Sequence, residues 1–116
     1  MPRDAVSSLE RAYRIYLQTV GPQHLYTAVG ETALGQARLE AGDAPGAETT
    51  FRDALAKYSG ANADHIYAES ARQGLGESLV AQQRYAEGRP LLRQAHARLV
   101  KEFGAADFRS TAPLSR

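Results

Sequence analysis

A chain of 116 residues that matches itself at an offset of 41 can fold in only a few ways. His24-Leu25-Tyr26 aligns with His65-Ile66-Tyr67, and Leu34-Gly35 with Leu75-Gly76. Ala47, Phe51 and Ala54 align with Gly88, Leu92 and Ala95 at the same spacing. Upstream, Ala5, Leu9, Ala12 and Tyr16 pair with Ala47, Phe51, Ala54 and Tyr58 at 42. Downstream, Phe103-Gly104 with Asp107 loosely echoes the break after Tyr58. A fixed period of this length marks a stacked array. Each unit is too small to bury its own apolar face, so it must pack on the next.

Within one period the pattern is helix, tight turn, helix. Leu34 to Leu55, LGQARLEAGDAPGAETTFRDAL, places Gly35 on a buried helix face, where a missing side chain admits another backbone. Asp43-Ala44-Pro45-Gly46 forms the turn, and Ala47, Phe51 and Ala54 then recur at i, i+4 and i+7 on one stripe. Five helices are predicted. The first is capped by Asp4 and runs to about Thr19, its apolar stripe widened by Val6, Tyr13, Leu17 and Val20. Gly21-Pro22 stops it, with Pro22 able to open a second helix from about Gln23 to Ala41 that ends at Gly42. The third spans Ala44 to Tyr58, with Pro45 harmless in its first turn. After a break at Ser59 to Ala63 and a cap at Asp64, the fourth spans His65 to Gln82. The fifth spans Tyr85 to Glu102, with a mild kink expected at Pro90 and a stop at Gly104.

The expected architecture is therefore an all-α single domain. Residues 4–20 form an unpaired helix of the second type, 21–60 and 61–104 form two hairpin repeats, and 105–116 form a tail. Ala, Leu, Glu, Gln and Arg, all good helix formers, dominate the composition. A net charge of +1 with scattered Lys and Arg gives no basic stripe for nucleic acid. The absence of Cys excludes disulfides and thiolate metal sites. No apolar run reaches the roughly 18 residues of a membrane span, and the polar start Met1-Pro2-Arg3-Asp4 does not read as a signal peptide. A cytoplasmic protein is expected.

The order of small residue, turn, small, aromatic, small resembles the core of the tetratricopeptide repeat. The period exceeds that family's usual length of about 34 residues by close to two helical turns, one for each helix. The longer spacing resembles the kinesin-light-chain type, found in arrays of bacterial regulatory proteins. The resemblance covers residues 4 to 107 and implies a right-handed superhelix of antiparallel hairpins. Two positions depart from the pattern. The early aromatic of the first helix is replaced by Glu31 and Arg72, and the turn glycine, present as Gly42, becomes Gln83. The second substitution puts the geometry of the second turn in question.

Catalytic chemistry finds little support. His24 and His65 are explained by the repeat, and with His96 they do not form the three or four converging ligands of a zinc site. No serine sits in a nucleophile elbow, and Gly35, Gly74 and Gly76 read as close-packing positions, not a phosphate loop. No carboxylate pair has the apolar setting that raises a pKa. No enzyme activity, cofactor or metal is expected.

The resemblance implies instead a concave face lined by the first helix of each repeat, where a peptide or helix of a partner protein docks. Its candidate contacts are Thr32, Gln36 and Glu40, beside Val29, in one unit. In the other they are Gln73 and Glu77, beside Ser70 and Ala81. Long amides there can bond both peptide N–H and C=O groups. The same residues also read as an ordinary solvated helix face. Tyr26 and Tyr67 either edge this groove or pack at the helix starts. The first helix offers a second surface. Val6, Tyr13 and Leu17 have no evident partner on one side, so the alternative expectation is an oligomerisation module joined through that helix.

Overall fold

The structure, a computed structural model, describes residues 2–58 and 66–103. Within them lie five helices: α1 (Pro2–Thr19), α2 (Leu25–Glu40), α3 (Ala44–Lys57), α4 (Ile66–Ala81) and α5 (Tyr85–Phe103). The expected break at Ser59 to Ala63, the Asp64 cap, His65 and everything from Gly104 onward lie outside the described residues. Each helix packs on the next in chain order, and α2 also touches α4.

Two helix starts differ from the expectation. Asp4 is not the cap of α1 but lies in its first turn, where a carboxylate still complements the helix dipole. Pro22 does not open α2. Gly21 turns the chain at φ +91°, and its carbonyl accepts the Thr27 hydroxyl at 2.6 Å. His24 then caps the helix, its Nδ1 accepting the Tyr26 N–H at 3.0 Å. α5 continues as one helix through Pro90.

The turn between α2 and α3 follows local chemistry. Gly42 adopts φ +90°, its N–H donates to Leu39 O at 3.0 Å, and the Asp43 N–H donates to Arg38 O at 2.9 Å. This left-handed cap satisfies the last carbonyls of α2. The Asp43 side chain then caps α3 by accepting from the Gly46 N–H at 3.0 Å. The turn between α4 and α5 is built the same way, although its glycine is missing. Gln83 takes φ +65°, its N–H reaches Val80 O and the Arg84 N–H reaches Leu79 O, both at 2.9 Å. The departure seen in the sequence therefore changes the strain of the turn and leaves its geometry intact. A left-handed residue other than glycine costs about 1–2 kcal/mol. Gln83→Gly should raise stability by about 1 kcal/mol in urea unfolding, and a loss would show that the Gln83 side chain is itself stabilising.

Phe51 of α3 is the centre of the core and is wholly buried. A Cβ at Gly35 of α2 would lie 2.8 Å from its ring, and one at Gly74 of α4 would strike the ring from the other side. Ala47, Ala54, Ala68, Ala71, Leu75 and Leu79 close the cluster around it. In the second hairpin Leu92 takes the place of Phe51, with Gly76 as its facing gap at 2.9 Å. Gly35, Gly74 and Gly76 are thus close-packing positions, as the periodicity indicates.

Candidate functional site

Cross-helix contacts set the directions of the helices, and those directions create the groove. Arg38 Nη1 to Thr50 Oγ1 (2.6 Å) near the turn and Thr32 Oγ1 to Tyr58 OH (3.1 Å) at the far end make α2 and α3 antiparallel. Glu48, early in α3, accepts from Gln82 and Arg84 just past α4, each at 2.9 Å, so α3 and α4 are antiparallel too. It follows that α2 and α4 run side by side in the same direction. Between them opens a cavity of about 170 Å3 lined by Val29, Thr32, Ala33, Gln36, Tyr67 and Ser70.

Four of the residues that the family resemblance places on the inner face, Val29, Thr32, Gln36 and Ser70, meet at this cavity. Their roles differ. Thr32 is buried, and its hydroxyl is held by Ala28 O at 2.8 Å and by Tyr58 OH. It forms the floor of the groove, its hydroxyl proton committed to Ala28 O and one of its lone pairs to Tyr58. Gln36 is exposed at the wall. Glu40 is exposed at the end of α2, one turn further on. On α4, Gln73 Nε2 lies 3.5 Å from the exposed Glu77 carboxylate. Tyr67 joins the cavity, whereas Tyr26 turns toward α1, its ring 6.2 Å from Tyr16 and 4.8 Å from His24. Ala33 is a lining residue that spacing alone did not single out; its small side chain leaves the space that the cavity occupies.

A second cleft, between α1 and α3 over α2, measures about 370 Å3, and Glu10, Tyr13, Glu31 and Arg38 are among its walls. Three of its charged walls, Glu10, Glu31 and Arg38, are ion-paired. Arg38 donates to Glu10 at 2.8 Å as well as to Thr50, and Lys57 donates to Glu31 at 2.8 Å while lying 5.8 Å from the Tyr13 ring centre. Glu31 was read from sequence as a departure in an aromatic slot. It is in fact a buried carboxylate with a cation from the next helix. Burial pushes its carboxyl above the usual range, and the Lys57 hydrogen bond and charge oppose that rise without cancelling it. The expectation from sequence concerned carboxylate pairs, and spacing did not single out this one carboxylate, Glu31. Glu69 has a similar setting in the second repeat, between Arg72 and Arg98.

Val6, Tyr13 and Leu17 are half-buried. The large apolar groups exposed on α1 are Ile15, at 51%, and Tyr16, at 36%, with Val20, at 39%, just past its end. Among the described residues no group of His, Asp or Glu is placed to hold a metal, and no helix is long and apolar enough to cross a membrane.

A family model described as tetratricopeptide repeat matches residues 2–59, which take in α1, α2 and α3. No curated protein and no solved structure matches the chain.

Proposed function

Because the chain belongs to the tetratricopeptide repeat family, whose repeats generally mediate protein–protein interaction, we propose that it captures a peptide or helix of a partner protein in the groove between α2 and α4. One observation carries this reading. The groove has an unfilled, partly apolar cavity beside the exposed Gln36, which makes no hydrogen bond among the described residues. In the larger cleft near α1, Glu10, Glu31 and Arg38 are already engaged by other protein groups. In the proposed complex an apolar side chain of the partner enters the cavity over Thr32. Gln36 and Gln73 bond its backbone, and Glu40 and Glu77 flank it. The setting we infer is a bacterial regulatory protein of the cytoplasm, without catalysis or cofactor.

The test is capture by the immobilised chain, compared with its Gln36→Arg variant. Gln36 is exposed, so the substitution should move stability by no more than about 0.5 kcal/mol. Partner capture should be lost while the unfolding curve stays in place. Equal capture by both forms would remove the groove from consideration.

A second reading, association of copies through α1, is favoured by the exposure of Ile15 and Val20. It predicts a mass in light scattering that rises with concentration and returns to that of one chain in Ile15→Glu. A constant single-chain mass would end it.

A further inference from the structure

The groove also carries information about the chemistry of its occupant. The chain as a whole is nearly balanced, with 14 Lys and Arg against 13 Asp and Glu. The described glutamates show how that balance is distributed. Glu10, Glu31, Glu48, Glu69 and Glu87 each meet a Lys or Arg. Glu40 and Glu77 have no cationic partner among the described residues. Both are exposed, and both lie on the face that lines the cavity. Glu40 is four residues from Gln36, and Glu77 is seven from Ser70, spacings that keep one helix face.

The cations of these two helices are turned away. Arg38 is held by Glu10 and Thr50, and Arg72 by Glu69. Because α2 and α4 are parallel, their negative dipole ends lie together at the end that carries Glu40 and Glu77. α4 has no basic residue in its last turn to offset this. Arg38, in the last turn of α2, is already engaged by Glu10 and Thr50, so the two exposed carboxylates leave a negative end beside a partly apolar cavity.

We propose that the partner segment is basic: a peptide whose apolar side chain fills the cavity under Tyr67 and whose Lys or Arg reaches Glu40 and Glu77. This rests on the groove being the docking surface. Seven helical residues from Ser70 to Glu77 span about 10 Å, which an extended peptide covers in about three residues. The basic residue therefore follows or precedes the apolar one by about two to four positions. Arg suits the site better than Lys, because its guanidinium can bridge two carboxylates. Acidic segments are repelled by the same charges.

The experiment is selection of phage-displayed random peptides on the full chain at low ionic strength, followed by affinity measurement with the enriched synthetic peptides. Enriched sequences should carry Arg or Lys at that spacing. Their affinity should fall roughly tenfold in Glu40→Gln/Glu77→Gln and also in 0.5 M salt, set as a high-salt arm on the order of the screening limit. Acidic or uncharged peptides that bind the chain but not Gln36→Arg would overturn the basic occupant and leave the groove standing. Basic peptides that bind the carboxamide variant equally well would also overturn it. No enrichment that depends on Gln36 would overturn both readings.

Discussion

Phe51→Ala should cost about 3–5 kcal/mol, a large part of the stability available to a chain of this size. The ring is fully buried and fills the gaps left by glycines on two different helices, so its removal opens a void shared by both hairpins. Urea unfolding followed by circular dichroism measures the loss. A cost below about 1 kcal/mol would show that α2 and α4 close over the gap, and Phe51 would not be the centre of the core. The converse substitution tests the same packing. Gly74→Ala places a methyl group against the ring and should cost about 1–3 kcal/mol by overpacking. In Phe51→Leu/Gly74→Ala the smaller side chain makes room, so the two costs should add to less than their sum. Additive costs would mean that the glycine and the ring are not in contact.

Lys57→Met is the second substitution with a large expected effect. It leaves the Glu31 carboxylate buried without its cation, and breaking a buried pair from one side typically costs about 3–5 kcal/mol. The loss should depend on pH in a defined direction. Burial raises the Glu31 pKa from 4.5, and a carboxyl raised on folding contributes stability that is present below 4.5 and is lost as pH rises through the folded value. Without Lys57 the folded value rises further, so the variant should approach the parent near pH 5 and fall furthest behind near pH 8. Glu48 acts oppositely in the parent. The Gln82 hydrogen bond, aided by Arg52 and Arg84, lowers its pKa, so its contribution is lost as pH falls below the usual carboxylate value. Replacing both partners, as Glu31→Leu/Lys57→Met, removes the buried charge altogether and should restore stability to within about 1 kcal/mol of the parent or above it. A cost for Lys57→Met that does not change with pH would show that Glu31 is not the group exposed by the substitution.

The groove was partly legible in the sequence. The family resemblance puts Val29, Thr32 and Gln36 on the inner face of α2 and Ser70 at the matching place on α4, and these four line one cavity. The division of labour among them was not legible. Thr32 is bonded to Tyr58, which is 26 positions away, and no local pattern reports that bond. Tyr26 and Tyr67 occupy equivalent places in the repeat, yet one leans on α1 and the other faces the groove. The difference comes from what precedes each repeat in space.

What the sequence determined by itself was the helices and how they pair. Spacing of apolar side chains, small residues at Gly35 and Gly76, and turn chemistry at Gly42 and Asp43 act within a few residues, and the 41-residue offset shows the apolar and small positions twice. Tertiary structure alone decided which charges are buried and which remain unpaired. Glu31 finds Lys57 and Glu69 finds Arg72 and Arg98, while Glu40 and Glu77 are left facing the groove. A side chain's helix face follows from its position in the chain, but the identity of its neighbour depends on the packing of another helix against that face. Long, flexible side chains such as Lys and Arg can reach any of several neighbours, and only the assembled array selects among them.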